Sequence, residues 1–142
     1  MAVGVGGECP GGRKEKDIFN SRTETIETPQ GRIMVTLNSL TGVDGGESIK
    51  RIEARYKGHV SLYYSSSLHA LCQLVNYSLE NGRDPEDLGG YLLEISTGPS
   101  VVDKKYDHVH SPFDAIGKAL IRRSMILRGR LAEDEHLRNI LD

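Results

Sequence analysis

The apolar side chains between Leu68 and Asn81 recur at the spacing of an α-helix, and this periodicity constrains the fold more than any other feature of the chain. The repeating residues are Leu68, Leu71, Cys72, Val75 and Leu79. Steps of three and four residues place side chains on one side of a helix, and Asn81 followed by Gly82 is a typical helix stop. The sequence therefore predicts a long helix over Leu68–Asn81 with one apolar face.

The residues that precede this helix are typical of β-strands. Arg22–Thr28 and Arg32–Leu37 are rich in β-branched side chains, and the Pro29–Gly31 segment between them favours a turn, so the pair predicts a hairpin. Ile49–Tyr56 alternates between apolar and polar residues, which predicts a third strand with one face toward solvent. His59–Ser67 fits either a strand or the first turns of the long helix.

A second set of helix signals follows. Asp84 can cap a short helix that has Pro85 at its first position. Tyr91–Thr97 is either the tail of that helix or a strand, and Gly98–His110 is predicted to be a polar loop.

Ser111 and Pro112 form another cap and first turn, and they predict a second long helix that runs to about Gly129. The apolar stripe of that helix is Phe113, Ile116, Leu120 and Leu127. Ala132–Leu141 predicts a last short helix.

These elements predict an α+β fold, in which an antiparallel sheet of three to five strands packs with two long and two short helices. A chain of 142 residues fits one domain. Met1–Lys16 is rich in glycine and too polar to offset its ordering entropy. We therefore expect a disordered tail over residues 1–16 and a single domain over residues 17–142.

Bulk properties argue against several classes of protein. A net charge of −2 does not favour binding to a nucleic-acid polymer. No apolar run approaches the roughly 20 residues of a membrane span, and Met1–Val5 lacks the pattern of a signal peptide. Cys9 and Cys72 are predicted to be reduced thiols. The sequence thus predicts a cytoplasmic protein without a membrane partner.

No motif of catalysis is evident. The chain has no Walker loop, no CxxC pair and no visible Ser/His/Asp arrangement, so a binding module is favoured over an enzyme and no cofactor is predicted. Four side chains that commonly bind metals lie close together in sequence, namely Asp103, Asp107, His108 and His110. Because alternating histidines share a side only on a strand, we favour a solvated loop and predict no metal.

Cations on the last long helix suggest a binding surface. They are Lys118, Arg122, Arg123, Arg128 and Arg130. Lys118 and Arg122 are one helical turn apart, and the planar fork of arginine matches phosphate oxygens. This pattern predicts an anion clamp. The alternative is a solvated face that pairs with acids of the same chain, such as Glu133.

Two helix starts are further candidates, because free amides and the helix dipole favour anions. Lys104, Lys105, Tyr106 and His110 precede the start at Ser111. The start at Ser65–Ser67 has Tyr63, Tyr64 and Lys57 nearby, a combination of hydroxyls, aromatic rings and a cation that suits a nucleotide; the alternative is ordinary packing and capping. The predicted ligand-binding residues are Arg122, Arg123, Lys118, Lys104, Lys105, Tyr106, His110, Ser111, Tyr64 and Ser66.

The helix punctuation resembles that of a known family. His69–Leu88, HALCQLVNYSLENGRDPEDL, and Ser111–Leu120, SPFDAIGKAL, resemble the TSCPD domain near the end of adenosylcobalamin-dependent ribonucleotide reductases. The likeness covers roughly Ile33–Arg123. The signature cysteine of that family is absent from the segment before Ser111, and there is no C-terminal cysteine pair, which argues against a redox role. One implied function is that of an accessory or regulatory domain that docks on a reductase.

On the same scaffold the chain is similar to the phage anti-Thoeris sponge proteins of the first type. Those proteins sequester cyclic ADP-ribose-type signals without cleaving them, and they form dimers or larger assemblies with pockets between subunits. The resemblance implies a non-catalytic sponge for a cyclic ADP-ribose-type or cyclic oligonucleotide signal. It also implies a homodimer or higher homo-oligomer, located in the host cytoplasm if a phage encodes it.

Overall fold

A computed structural model describes residues 19–135 of the chain. The elements in chain order are β1 (Asn20–Ile26), β2 (Ile33–Thr41), β3 (Glu47–Tyr56), α1 (Leu62–Glu80), α2 (Pro85–Leu92), β4 (Val101–Asp103), β5 (Asp107–Val109) and α3 (Pro112–Leu127). The predicted α+β class is confirmed. In detail, the described residues hold one antiparallel sheet β1-β2-β3, a separate two-stranded sheet β4-β5 and three helices.

The predicted hairpin joins β1 and β2. Ile26 lies opposite Ile33 in the register of the two strands. The turn between them is closed by two backbone hydrogen bonds between Thr28 and Gly31, at 3.2 and 3.0 Å. Gly31 has a φ of 129°, a conformation that side chains disfavour. Ile33, Val35 and Leu37 alternate toward the core and are buried, as the period of a strand requires.

Helix α1 begins at Leu62, which settles the ambiguous segment His59–Ser67. Ser61 is extended, and its hydroxyl accepts a hydrogen bond from the Tyr64 amide at 3.3 Å, so it is the N-cap. The helix is therefore six residues longer at its start than the periodicity predicted, because its first turns are exposed and carry no apolar stripe. The predicted apolar face of α1 packs against β3 and is buried at Leu68, Cys72, Val75 and Leu79.

Asn76 attaches α1 to the sheet through hydrogen bonds. Its side-chain oxygen accepts from the Ile52 amide at 2.7 Å, and its side-chain nitrogen donates to the Ile52 carbonyl at 2.9 Å. Both partners are buried. Ile52 lies on the edge strand β3, so no neighbouring strand pairs with its amide and carbonyl on that side. The Asn76 side chain satisfies both groups.

Helices α2 and α3 have the caps that the sequence predicted. Asp84 and Ser111 are the N-caps, each followed by proline. The helices contact each other at Gly89 and Gly117, where a Cβ on either glycine would come within 2.7 Å of the other's carbonyl oxygen. Two glycines that face each other, one on each helix, therefore permit a very close approach of the two backbones.

The region after α2 was predicted in part. Of the two alternatives for Tyr91–Thr97, the structure shows the tail of the helix, which ends at Leu92 and is followed by irregular chain. Gly98–His110, predicted to be a loop, contains the β4-β5 hairpin, in which Val101 lies opposite Val109. Its strands are only three residues long, too short for alternation to be recognised. The Asp103 carboxylate closes the turn by accepting the amides of Lys105 and Tyr106 at 2.9 and 3.2 Å.

Most of what was predicted for the two ends of the chain concerns residues outside the described range. The tail over residues 1–16 is outside the described residues, as is most of the helix predicted over Ala132–Leu141. Residues 132–135 are described and are not helical. Among residues 19–135, no helix is long and apolar enough to cross a membrane.

Candidate functional site

The predicted anion clamp is buried. Arg122 and Arg123 are only 2% and 5% exposed. Arg123 Nη1 donates to Glu133 Oε2 at 2.8 Å, and Arg122 donates to the main-chain carbonyls of Glu133 and Glu135. Arg122 Nη1 also lies 3.7 Å from Glu24 Oε2. Both guanidinium groups are therefore inside the domain and paired with groups of the same chain. The pairing with Glu133 that the alternative predicted is present, but the solvated face that it also predicted is not.

The other cations on and just after α3 are paired as well. Lys118 Nζ lies 3.0 Å from the fully buried carboxylate of Asp114. Arg128 pairs with Asp84 and Glu86, and Arg130 pairs with Glu86. Because the α2 carboxylates neutralise these arginines, they fasten α3 to α2 and do not form an open basic face.

The helix start at Ser111 is closed. Ser111 is fully buried, and its hydroxyl accepts the Asp114 amide at 2.9 Å. Tyr106 is buried and donates its hydroxyl to Glu24 Oε1 at 2.5 Å. Burial, followed by the nearby Glu24 charge, raises the pKa of Tyr106 well above its usual value. Lys105 Nζ lies 3.9 Å from Glu24, whereas Lys104 points to solvent.

A pocket lined by tyrosines, which we call the tyrosine pocket, lies at the start of α1 and has a volume of about 340 Å³. Its walls are Gln30, Tyr56, Tyr63, Tyr64, Ser67, Leu68, Thr97, Pro112 and Phe113. The ring centres of Tyr56 and Tyr64 are 6.5 Å apart, and those of Tyr63 and Tyr64 are 6.0 Å apart. These spacings are those of tilted aromatic pairs.

Segments that are distant in sequence hold the tyrosine pocket together. Thr97 Oγ1 donates to Gln30 Oε1 at 2.7 Å, and Gln30 Nε2 donates to the Thr97 carbonyl at 3.3 Å. The Thr97 amide in turn donates to the His110 carbonyl at 3.1 Å. The β1-β2 turn, the loop after α2 and the start of α3 therefore meet at one wall, and the predicted residue His110 lies directly behind it.

A second cavity of about 420 Å³, which we call the basic groove, adjoins the tyrosine pocket and shares Gln30 and Tyr56 with it. Arg32, Lys57 and His59 line the basic groove. Arg32 is paired with Glu27 at 2.7 Å across the surface, while Lys57 and His59 are exposed. An aromatic cavity and a cationic cavity are thus adjacent, on either side of Tyr56.

The helix start predicted at Ser65–Ser67 lies earlier, at Ser61, and the Ser65 and Ser67 hydroxyls donate to the Leu62 and Tyr63 carbonyls inside α1. The first turns of α1 nevertheless border a cavity. Tyr64 lines the tyrosine pocket, as expected for a ligand-binding residue, and the predicted neighbour Lys57 lies in the basic groove. Ser66 is exposed but is not part of either wall. Burial and the neighbouring Tyr64 raise the pKa of Tyr56, so its hydroxyl stays protonated at neutral pH.

Several pocket residues could not be found from the sequence. Tyr56 ends a strand, Phe113 begins a helix, and Gln30 and Thr97 lie in turns, so only the folded chain brings them together. The signal that was available is the local cluster of tyrosines, serines and a lysine around residues 57–67.

A larger cavity of about 510 Å³ lies between α1 and β3 and is less suited to a nucleotide. Its wall contains the cations Arg51 and Arg55 but no Tyr, Phe or Trp side chain on which a base could stack. Cys72, also in its wall, is buried, and burial raises the pKa of this thiol to about 11. A thiol that remains protonated at neutral pH is a poor nucleophile.

The part of the chain that is described, residues 19–135, brings no three His, Cys, Asp or Glu side chains together in a way that would hold a metal ion. Comparison of the chain with protein-family models, with curated proteins and with solved structures found no match.

Proposed function

We propose that this protein is a non-catalytic binding protein for a small nucleotide-type ligand. The observation that carries the proposal is the adjacency of the tyrosine pocket and the basic groove, which share Gln30 and Tyr56. A nucleotide has a flat apolar base and anionic phosphates. The tyrosine pocket offers an aromatic environment for the base, and the adjacent basic groove offers cations for the phosphates.

The tyrosine pocket suits the base. Stacking of a base on an aromatic side chain contributes about 1–3 kcal/mol, and Tyr56, Tyr63 and Tyr64 present three rings. Gln30 uses only one amide proton and one oxygen lone pair in its contact with Thr97, so its remaining groups can bind the edge of a base.

The basic groove suits the phosphates. Lys57 and His59 are exposed there, whereas Arg32 is paired with Glu27, a carboxylate of the same wall. The N-terminus of α1, a 19-residue helix, begins three residues after His59. Ser61 takes the Tyr64 amide, so the dipole and the Leu62 and Tyr63 amides are what this helix start offers to an anion near the groove.

We further propose that the ligand is a cyclic ADP-ribose-type or cyclic oligonucleotide signal that the protein sequesters. This choice follows from the resemblance to the sponge proteins. Sequestration requires tight binding and slow release; a dissociation constant of about 10 nM corresponds to roughly 11 kcal/mol. Two phosphates and a stacked base supply interactions of that order.

Calorimetry with cyclic ADP-ribose isomers and cyclic dinucleotides tests the proposal, followed by chromatography of the ligand released by heating. Tight binding and recovery of the intact ligand support a sponge. A chemically changed ligand would identify an enzyme instead. Lack of binding to all of these nucleotides would overturn the proposal and leave the reductase-accessory role as the remaining candidate.

Two substitutions locate the site. Tyr64→Ala removes a ring from the tyrosine pocket, and Lys57→Ala removes a cation from the basic groove. Each is expected to weaken binding at least tenfold, which is about 1.4 kcal/mol. Tyr91→Ala and Lys50→Ala are the matched controls, because both side chains are exposed and lie outside the two cavities. Equal loss in a variant and its control would place the ligand elsewhere.

A further inference from the structure

A cavity of about 450 Å³ lies between the start of β1 and the end of α3 and shares no residue with the tyrosine pocket or the basic groove. We call this cavity the arginine cleft, because Arg22 and Arg123 are in its wall together with Glu133. The cleft thus combines guanidinium groups from β1 and α3 with a carboxylate from the segment that follows α3.

The Glu133 carboxylate is bound in the arginine cleft as a ligand would be. Arg123 Nη1 and Arg22 Nη2 both donate to Glu133 Oε2, at 2.8 and 3.0 Å, and Arg123 Nη2 donates to Oε1 at 3.4 Å. Arginine binds free carboxylates and phosphates with the same fork. The Glu133 side chain is 51% exposed, so it lies at the mouth of the cleft and can leave it without exposing the core.

The segment that carries Glu133 is held independently of this side chain. Arg122 donates to the main-chain carbonyls of Glu133 and Glu135, and those bonds form whatever side chain stands at either position. A rotation of the Glu133 side chain alone would therefore open the arginine cleft while the segment stays in place.

Positive charge exceeds negative charge among the ion pairs around the cleft. Among the described residues, the guanidinium groups of Arg22, Arg122 and Arg123 are paired with two carboxylates, those of Glu24 and Glu133. Buried charges are stable only when they are fully compensated. A group with two negative charges in the place of the Glu133 carboxylate would balance the three guanidinium groups.

A buried donor of the arginine cleft lacks an acceptor. Arg123 Nε has no hydrogen-bond partner in the described part of the chain, and the Arg123 side chain is only 6% exposed. Glu47, the other carboxylate in the wall, instead accepts hydrogen bonds from the Asn20 amide and the Ser39 hydroxyl. An oxyanion with more oxygens than a carboxylate would give Arg123 Nε an acceptor.

We propose that the arginine cleft is a binding site for a phosphate monoester dianion and that Glu133 is a tethered competitor for this site. The ligand would displace the Glu133 carboxylate and accept hydrogen bonds from Arg22 and Arg123, whose planar forks match phosphate oxygens. A tethered group acts at an effective concentration on the order of millimolar, so the wild type should bind simple phosphate weakly. The proposal does not depend on the proposed nucleotide site.

Calorimetry with inorganic phosphate at constant ionic strength tests the competition. Glu133→Ala removes the competitor and should bind phosphate at least tenfold more tightly than the wild type. Glu80→Ala is the matched control, because it removes the same charge from an exposed position outside the cleft and should bind as the wild type does. Equal affinities of the wild type and Glu133→Ala would overturn the proposal.

Second substitutions locate the phosphate. In the Glu133→Ala background, Arg22→Ala should remove most of the gain in affinity, and this variant should fold because the Arg22 side chain is 57% exposed. Lys57→Ala in the same background should leave the gain unchanged, because Lys57 belongs to the basic groove. Loss of binding with Lys57→Ala but not with Arg22→Ala would place the ion in the basic groove and contradict the proposal.

Thermal denaturation gives a readout that does not depend on the heat of binding. Phosphate stabilises most folded proteins by exclusion from their surface, so the comparison is with Glu80→Ala. A bound ligand adds stability by mass action, and phosphate should therefore raise the midpoint of Glu133→Ala by more than that of Glu80→Ala. An equal rise in both variants would mean that phosphate acts only as a solvent additive and would overturn the proposal.

Discussion

At the scale of single residues, two buried polar side chains connect elements that are distant in sequence. Asn76 bonds both backbone groups of Ile52. Asp114 accepts the amides of Glu94 and His110 and lies against Lys118. The sequence placed both residues on helices, but it did not indicate their partners. A polar residue in a helical pattern carries no information about which distant backbone group it will satisfy.

Asn76→Ala should be strongly destabilising. The substitution leaves a buried amide and a buried carbonyl of Ile52 without partners, which costs about 2–4 kcal/mol in the free energy of unfolding. Urea denaturation followed by circular dichroism measures the loss. Gln73→Ala is the control, since Gln73 is exposed on the same helix and its side chain forms a hydrogen bond with His69, which is also exposed. A loss no larger than that of Gln73→Ala would mean that water replaces the Asn76 bonds.

Glu133→Gln should weaken the domain in a pH-dependent way. The hydrogen bond from Arg123 and the charge of that residue lower the pKa of Glu133. A carboxylate whose pKa is depressed by folding stabilises above its unfolded-state value of about 4.3, and this contribution is lost as the pH falls through the folded-state value.

Because Glu133 is about half exposed, the difference at neutral pH should be at most about 1 kcal/mol. The difference in unfolding free energy between wild type and Glu133→Gln is therefore expected to shrink in acid. Glu27→Gln, which removes an exposed pair with Arg32, is the control. A difference that stayed constant from neutral to acid pH would show that the charge of Glu133 does not contribute to the free energy of unfolding.

At the scale of elements, capping residues were the most informative part of the sequence. The starts of α2 and α3 were predicted correctly, because Asp84 and Ser111 act through amides three residues away. The hairpin of β1 and β2 was also predicted, from a local turn. The β4-β5 hairpin was missed, since three-residue strands have no recognisable period, and the close contact of α2 with α3 depends on two glycines 28 positions apart.

Gly117→Ala should destabilise the α2-α3 contact. The new Cβ would lie 2.7 Å from the Gly89 carbonyl oxygen and 2.9 Å from Leu92 Cβ, so one helix must shift. Overpacking of this kind costs about 1–3 kcal/mol and outweighs the helix propensity of alanine. Gly90→Ala, with no atom near its added Cβ, should instead be neutral or stabilising by up to about 1 kcal/mol. The midpoints of thermal denaturation of the two variants should shift in opposite directions from that of the wild type. A shift in the same direction would contradict the packing of Gly117 against Gly89.

At the scale of the whole molecule, the fold class followed from local patterns, whereas the candidate site did not. Three of the ten ligand-binding residues that the sequence predicted lie on α3, and folding buries two of them, Arg122 and Arg123, against carboxylates. Charge clusters in sequence do not reveal whether their partners are solvent, ligand or the same chain. Tyr64 and Lys57 border open cavities because they flank an exposed helix start.

Cys72 should report the opening of the whole domain. Its thiol is 6% exposed in the core, and its pKa is raised to about 11. Alkylation in a Cys9→Ser background should therefore be slow in the folded protein and fast in urea, and a bound nucleotide should slow it further by mass action. Labelling within seconds under native conditions would mean that α1 separates from the sheet without global unfolding.

The attachment of α1 through Asn76 also affects the tendency of this protein to aggregate at high concentration. The β3 edge of the sheet would otherwise present free amides and carbonyls to any passing strand, and such edges are templates for intermolecular strand addition. The Asn76 amide occupies the Ile52 position of that edge. Loss of α1 docking would therefore do more than lower stability: it would make the β3 edge a starting point for polymers.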